Sequence, residues 1–492
     1  MAGGETWIIR GGRVIDPATG RDEIADVLIA NGRVEGIGQA IGPPSASVLE
    51  ARGKVVAPGL VDVHVHLREP GFEHKETIRT GAAAAVAGGF TTVCAMPNTR
   101  PVIDRPERVA DLLARAQGAA CRVLPIGAAT VEHENRKFTD FVALRDAGCV
   151  AITDDAFPLQ RSEDMTAALV RAAEADLPFI AHCEMKGLSA GGAVDASAAR
   201  YAPGATTQAT LAEAAAVRLW AAAYERAAAQ ASRPPRLHLA HVSSALGVEA
   251  VRSLKATGAL VTAETAPHYL TLDSSALAQF GADAKMNPPL RSPVDVAAVR
   301  EAILNGTIDL IATDHAPHSP GEKALPLEEA PFGVIGLETS LAVCLSELVV
   351  GCGSGLHVCG PDAPPADGDR RCMRPLQRQT DSHPPTVEAE APPTTARITA
   401  DTALVRRGDL NLVELVGRMS WQPARVFGLG GGALAIGQAA DVVVLDPEAT
   451  WTVDPTQFRS KGRNCPFSGR GVYGRVYATF VGGDLRYGGS GT

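Results

Sequence analysis

Two histidines separated by a single residue are the first feature of the chain that could perform chemistry. They are His64 and His66, in the run VDVHVHLREPG that begins at Val61. On a β-strand, side chains two residues apart point to the same face, so the two imidazoles would converge on one point. Converging imidazoles can bind a metal ion, but an isolated H-x-H pair is more often a pair of ordinary hydrogen-bonded histidines. Residues elsewhere in the chain must therefore decide between these interpretations.

Further acids and histidines stand where other apolar runs of the chain turn polar. They are Asp154, Asp155, His182, His241 and Asp314. If the runs are parallel strands of a barrel, all of these residues lie on one rim together with the H-x-H pair. Four imidazoles and two carboxylates suit two zinc sites, each with a position left for water. Two metal ions about 3.5–4 Å apart lower the pKa of a shared water toward neutrality, which predicts hydrolytic attack on a carbonyl with Asp314 as general acid/base.

The segment from residue 58 to residue 350 alternates short apolar runs with longer stretches of helical spacing. Eight β-branched runs can be counted, from GLVDVHVH at its start to IDLIATDH near its end. The stretches between them are rich in Ala, Leu, Glu and Arg. Eight strand-then-helix units predict an α/β fold, a parallel (βα)8 TIM-type barrel with its functional groups at the carboxyl ends of the strands.

At both ends of the chain, apolar and polar residues alternate as they do in short β-strands. Residues 1–57 and 431–492 each offer too few strands to bury a face, so we expect one small β-sandwich domain formed by both termini. Residues 351–400 are rich in Pro, Gly and charged residues without an apolar period, which predicts a disordered insertion. Residues 401–430 would then return to the barrel as helix.

The composition is that of a globular protein of 492 residues with a net charge of −9. The chain has no basic block, which argues against nucleic-acid binding. No apolar run reaches the roughly 20 residues that would cross a bilayer, and no export signal is visible, so we expect no membrane association. The nine cysteines are scattered without a CxxC pair, as expected of reduced thiols in a cytoplasmic protein.

Several longer motifs make the chemical interpretation more specific. They are DVHVHLREPG, AMPNTRPV, AITDDA, AHCE, AHVSS, KMNPPLRS, ATDHAPH and APFGVIGLET. Together they resemble the type I (class I) dihydroorotases of the amidohydrolase superfamily, over nearly all of the chain outside 351–400. The resemblance implies a zinc-dependent cyclic amidohydrolase that interconverts N-carbamoyl-L-aspartate and (S)-dihydroorotate plus water in de novo pyrimidine (UMP) biosynthesis.

The same resemblance implies a set of metal ligands. His64 and His66 would bind the first zinc, His182 and His241 the second, and Asp314 would complete the first site. Many members of the superfamily bridge the two metals with a carboxylated lysine on the fourth strand, where this chain reads AITDD. We therefore expect Asp155 to be the bridge, with Asp154 as its rival because alternation along a strand lets only one face inward. An aspartate bridge could leave one of the two zinc ions weakly held.

Substrate contacts can also be assigned from the resemblance. Arg68 would hold the substrate carboxylate with its guanidinium fork, unless it is a surface arginine paired with Glu69. Asn98 and Asn287 would donate hydrogen bonds, although beside prolines they could simply cap turns. The remaining predicted contacts are His66, His318 and the backbone of Phe332 and Gly333. His238 precedes His241 by three residues and should point to the opposite face of its strand.

Two alternative functions stay open. Another cyclic-amide hydrolase, an allantoinase or a hydantoinase, could use the same barrel, although Arg68 favours a carboxylate-bearing substrate and the absent fourth-strand lysine argues against a hydantoinase. A non-catalytic dihydroorotase-like partner of aspartate transcarbamoylase should have lost metal ligands, and none is lost here. We expect a homo-oligomer that binds a small-molecule substrate, and association of an active enzyme with aspartate transcarbamoylase remains a family-level hypothesis.

Overall fold

A nearly closed ring of parallel strands forms the centre of the molecule. The computed structural model describes residues 5–350 and 410–488. Eight strands lie in one parallel sheet in which each strand pairs with the next along the chain: Leu60–Val65, Phe90–Ala95, Arg122–Ala128, Ala151–Thr153, Phe179–Ala181, Leu237–Leu239, Val261–Thr265 and Leu310–Ile311. We call them barrel strands one to eight. The prediction of a (βα)8 barrel is confirmed.

The seam between barrel strands one and eight is closed by a few specific bonds. The amide of His66 donates to the carbonyl oxygen of His315 at 2.8 Å. The carboxylate of Asp62, which is fully buried, accepts hydrogen bonds from the amides of Thr313 and His64 at 3.2 and 3.1 Å. The seam therefore brings the end of the first strand against the end of the eighth.

Helices cover the outside of the barrel, and several of them begin at a side-chain cap. The side chains of Thr77, Ser244 and Ser292 each cap the helix that follows, as is typical of short hydroxyl residues. The longer helices are Ile78–Ala87, Pro106–Arg115, Phe141–Asp146, Ser162–Glu174, Leu211–Gln230, Ala245–Lys255, Pro293–Leu304, Leu412–Met419 and Trp421–Phe427, with Ser340–Cys344 continued by the π-helical Leu345–Val350. Short helices at Lys186–Ser189, Pro267–Thr271, Ala276–Phe280 and Pro320–Lys323 lie in the loops.

Strands from both termini form a second sheet. In spatial order they are Asp484–Gly488, Gly471–Val481, Val442–Thr452, Val55–Pro58, Trp7–Asp16, Arg21–Ala30 and Arg33–Gly38, with Ser47–Glu50 paired to Trp7–Asp16. Side chains of both halves share one core, in which Ile9 and Val27 pack with Val442 and Phe480. The predicted β domain built from the two termini is therefore present, as one eight-stranded sheet.

Two of the expectations drawn from the sequence concern segments that lie wholly or partly outside the described residues. The expected insertion at 351–400 lies outside the described residues, and so does the beginning of the expected helical return at 401–430. From residue 410 onward that return contains the helices Leu412–Met419 and Trp421–Phe427. Within the described ranges, none of the helices combines the length and the apolar character that crossing a bilayer requires.

Candidate metal centre and active site

The carboxylate of Asp155 lies among four histidine rings at the carboxyl end of the barrel. Its oxygens are 3.1 Å from His182 Nδ1, 3.5 Å from His241 Nε2, 3.6 Å from His66 Nε2 and 3.8 Å from His64 Nε2. All five side chains are buried. The structure thus brings together the four predicted histidines and one of the two candidate aspartates.

Asp314 joins this cluster from barrel strand eight. Its Oδ1 lies 3.3 Å from His66 Nε2 and 3.5 Å from His64 Nε2. Both Asp314 and His241 stand just beyond the end of a strand and have positive φ angles of 48° and 37°. A left-handed backbone is uncommon for residues other than glycine and is concentrated at functional sites. The turned backbone places these two residues at the rim, where the strand alternation no longer applies.

The two neighbouring aspartates at barrel strand four have different roles in the structure. Asp154 accepts hydrogen bonds from the backbone amides of His182 and Leu159 at 2.9 and 2.8 Å, and burial raises its pKa to about 7. Burial acts on Asp155 as well, but hydrogen bonds from His182 and His241 keep its pKa well below the usual value. Asp155 is therefore the ionised carboxylate that faces the histidines.

Three of the histidines are oriented by acceptors on the side away from Asp155. Each ring directs one nitrogen to an oxygen outside the cluster: His64 Nδ1 to Glu264 at 2.6 Å, His66 Nδ1 to Asn98 Oδ1 at 2.9 Å and His182 Nε2 to Glu184 at 3.1 Å. Such partners fix the tautomer of a metal-binding histidine, because the nitrogen that donates its proton leaves the other nitrogen with a free lone pair. The other nitrogen of each ring, the one available to a metal ion, therefore faces the Asp155 carboxylate.

The donor set fits a pair of cations. His64 Nε2 is buried and has no hydrogen-bond partner within the described part of the chain, a costly arrangement for a polar atom. His182 Nδ1 and His241 Nε2 face each other at 2.8 Å. Two overlapping groups, each of three residues, have ligand atoms within 4.8 Å of one another: His64, His66 and Asp155, and Asp155, His182 and His241. Imidazole nitrogens combined with carboxylates are typical zinc ligands.

The charges of the cluster are coupled to proton binding. Burial alone would lower the pKa of His64, but the carboxylates of Asp314 and Glu264 raise it to about 10. Asp155 and Glu184 likewise raise the pKa of His182 to about 9 against the effect of burial. Protons thus occupy the positions that a cation would take, so metal binding at neutral pH should release them.

Arg68 is a half-buried residue that stands beside this cluster, near enough for the charges of Asp314 and Asp155 to act on it. Its Nε donates to the carbonyl oxygen of Pro317 at 3.1 Å, and its Nη2 lies 3.2 Å from His318 Nε2. Glu69 pairs instead with Arg115 at 3.1 Å, so the alternative that Arg68 is a surface partner of Glu69 is wrong. Among the described residues, no carboxylate lies within ion-pair distance of Arg68, which leaves this cation suited to an anionic ligand.

The other predicted substrate contacts on this side are bound to protein groups. His318 Nε2 lies 2.8 Å from the carbonyl oxygen of Phe332, and Lys75 Nζ lies 3.3 Å from His318 Nδ1. Burial and the nearby cations of Arg68 and Lys75 hold the pKa of His318 far below its usual value. The amide of Gly333 donates to the carbonyl oxygen of Lys285 at 3.0 Å. A neutral His318 therefore lies directly against the Phe332–Gly333 backbone.

The two predicted asparagines lie behind the histidines. Asn98 accepts from His66 as described above. Asn287 Nδ2 donates to Glu184 Oε2 at 2.9 Å, and Asn287 Oδ1 accepts from Gln208 at 3.1 Å. Both side chains thus orient the metal-facing rings directly or through an acid, a contact that the sequence patterns did not predict.

Sequence reasoning missed two acids and misplaced one histidine. Glu264 accepts hydrogen bonds from both His64 and His238, the latter at 3.0 Å. His238 therefore also faces the barrel interior. The expectation that it points to the opposite face from His241 is wrong. Barrel strand six ends at Leu239, and the turned backbone at His241 breaks the alternation on which that expectation relied. A charged residue inside the apolar run LVTAET was the available signal for Glu264, and the i+2 spacing after His182 was the signal for Glu184.

Comparison with known protein families and sequences gives one consistent result. Residues 53–217 match the family model described as Dihydro-orotase-like, and residues 380–486 match the model described as Amidohydrolase family. A dihydroorotase of Anaeromyxobacter dehalogenans strain 2CP-1 is 41% identical over 485 residues, covering 98% of each chain. A dihydroorotase of Geobacter metallireducens is 38% identical over 482 residues, covering 98% of this chain and 99% of that protein.

Solved structures show the same fold at lower sequence similarity. The L-hydantoinase (dihydropyrimidinase) of Arthrobacter aurescens superposes with a TM-score of 0.75 at 23% identity, covering 97% of this chain and 95% of that one. A D-hydantoinase superposes with a TM-score of 0.76 at 21% identity, covering 98% and 95%. At this level of identity the similarity establishes the fold alone.

Replacing Glu264 by glutamine should weaken metal binding. The neutral amide keeps the size of the side chain but removes the charge that orients His64, so we expect zinc affinity to fall by about 10- to 100-fold. Zinc titration against a competing chelator measures this affinity. Glu225→Gln, on an exposed position of the outer helix Leu211–Gln230, is the control. Equal zinc affinity in the Glu264 variant and the wild type would contradict this orienting role.

Proposed function

Since the chain belongs to the dihydroorotase family, we propose that its rim site interconverts N-carbamoyl-L-aspartate and (S)-dihydroorotate plus water in pyrimidine synthesis. The chain is a cyclic amidohydrolase. The observation that carries the assignment of the site is the convergence of four imidazoles and two carboxylates beside Arg68, a cation without a carboxylate partner among the described residues. This combination joins hydrolytic chemistry to recognition of a substrate carboxylate.

We assign the metal as zinc, with two ions per chain. His64, His66 and Asp314 would hold the first ion, His182 and His241 the second, and Asp155 would bridge them. When bound, zinc polarises a carbonyl oxygen as a Lewis acid and brings the pKa of a water molecule near neutrality. The aspartate at barrel strand four, in place of a lysine, supports assignment to the type I class.

Asp314 is the group that would move the proton. Histidines 64 and 66 keep its pKa well below the usual range despite burial, so the carboxylate is ionised and can accept a proton. In the hydrolytic direction Asp314 takes the proton of the attacking water and passes it to the leaving ring nitrogen. In the biosynthetic direction the carbamoyl nitrogen attacks the side-chain carboxyl carbon, and Asp314 accepts the nitrogen's proton and gives it to the departing oxygen, which leaves as water, as microscopic reversibility requires.

Arg68 would hold the substrate during these steps. Its guanidinium can form two parallel hydrogen bonds to the substrate carboxylate. We further propose that His66, Asn98, Asn287, His318 and the Phe332–Gly333 backbone would contact the substrate and fix its ring. Holding the reacting atoms in one geometry lowers the entropic cost of reaching the transition state.

The cellular setting follows from the same proposal. The six cysteines in the described ranges are buried free thiols, which is typical of a reducing compartment, and we place the enzyme in the cytoplasm. A homo-oligomer and an association with aspartate transcarbamoylase remain predictions that rest on the family resemblance.

A substrate comparison tests the proposed reaction. Purified protein should hydrolyse dihydroorotate in preference to allantoin and hydantoin, because only dihydroorotate offers a carboxylate to Arg68. Chelation should abolish this turnover, and added zinc should restore it. Preference for allantoin or hydantoin, or full activity after complete removal of metal, would refute the assignment.

Replacing Arg68 by alanine should separate substrate binding from metal binding. Loss of a charge-assisted pair of hydrogen bonds should lower kcat/KM for dihydroorotate by roughly 10- to 100-fold, while the zinc content stays at the wild-type value because Arg68 is not a ligand. Arg115→Ala, which removes the exposed partner of Glu69, should leave kcat/KM unchanged. A wild-type kcat/KM in the Arg68 variant would show that the substrate carboxylate is held elsewhere.

A further inference from the structure

A segment of the terminal sheet reaches the loop that follows barrel strand eight. We call residues 459–465 the rim segment; it lies between the strands Val442–Thr452 and Gly471–Val481. Two of its side chains, Ser460 and Asn464, are each 1% exposed. The amide of Lys461 donates to Glu76 at 3.2 Å. The rim segment is thus bonded to the barrel although its flanking strands belong to the other sheet.

Both polar atoms of the Asn464 side chain form hydrogen bonds with the loop after barrel strand eight. Its Nδ2 donates to the carbonyl oxygens of Ala316 and Gly333 at 3.1 and 2.9 Å. Its Oδ1 accepts from the amide of His318 at 3.1 Å, and its own carbonyl oxygen accepts from the amide of Ile335 at 2.9 Å. One buried residue therefore ties together two stretches of this loop, 316–318 and 333–335.

The contact between these stretches leaves no spare room. Gly333 has a φ of +133°, and a Cβ there would lie 2.7 Å from the Cβ of Ala316. A Cβ on Gly462 of the rim segment would lie 2.7 Å from a methyl carbon of Ile335 and 2.8 Å from Pro317. Contacts this close require glycine at both positions. The loop is therefore held in one arrangement by packing as well as by hydrogen bonds.

We propose that Asn464 is a positioning residue for substrate binding. By bonding to both stretches it sets the distance between His318 and the Phe332–Gly333 backbone, the groups that the proposed function directs to the substrate ring. This inference rests on the proposed function and deepens it. Within the described residues, Asn464 bonds to none of the four clustered histidines and not to Asp155, so its influence should fall on substrate binding and not on the metal. The small sheet built from both termini thereby takes part in the site.

Substitution of Asn464 in the full-length, zinc-loaded protein tests the proposal. Asn464→Asp keeps the acceptor for the His318 amide but places an acceptor where the two carbonyl oxygens need a donor, and Asn464→Ala removes all three side-chain bonds. For both variants we expect the KM for dihydroorotate to rise about 10-fold or more, with kcat changed far less and two zinc ions retained. Asn305→Ala removes an exposed side chain whose hydrogen bonds in the described structure come only from Thr307, and it should leave KM unchanged.

Hydrogen exchange gives a readout that needs no turnover. Peptides covering 316–335 should exchange faster in the Asn464 variants, since the His318 amide loses its acceptor in the alanine variant, while peptides around His182 and His241 keep their protection. An active wild type with an unchanged KM in both variants would overturn this inference alone. Loss of zinc or of protection throughout the chain would overturn it as well, because Asn464 would then support the whole fold. A wild type that does not turn over dihydroorotate would refute the proposed function, and this inference with it.

Discussion

The arrangement of four buried imidazoles around the carboxylate of Asp155 is the constraint on which the rest of this structure depends. Concentrating so many polar groups away from water is expensive unless each finds a partner. The barrel brings these groups together by joining strands one and eight through Asp62 and the His66–His315 bond. The ends of the two strands therefore lie side by side. A pair of cations would bind the ring nitrogens that face the Asp155 carboxylate and displace the protons that they carry. The closure of the barrel, the need to pair buried polar groups and the geometry of metal binding therefore all favour the same arrangement of histidines around Asp155.

Around this centre lies a second layer of groups that determine how the ligands face it. Glu264, Asn98 and Glu184 each accept a hydrogen bond from one histidine on the outer side, and Asn287 in turn donates to Glu184. On the substrate side, Arg68 remains a cation without a carboxylate partner in the described residues, whereas the strand-eight loop is bonded to the terminal sheet. Under the proposed function, metal binding and substrate binding would thus depend on different supports, one inside the barrel and one that joins both sheets.

Much of this could be predicted from the sequence, because strand-end positions follow from apolar runs and β-alternation. His64, His66 and His182 directly end or follow such runs, and their convergence is a consequence of a parallel barrel. His241 and Asp314 also reach the rim, but through a left-handed backbone that no alternation rule describes, and for that reason the orientation of His238 was wrongly predicted. Glu264 and Asn464 act through contacts between residues distant in sequence, and such contacts leave no periodic signal.

The most direct measurement of the central claim is the position of the metal itself. Crystals of the zinc-loaded protein, measured above and below the zinc absorption edge, would give an anomalous difference map. The account predicts two peaks about 3.5–4 Å apart, on either side of the Asp155 carboxylate and in contact with His64, His66, His182 and His241. Zinc bound elsewhere, or an active protein with no peak among these side chains, would contradict it.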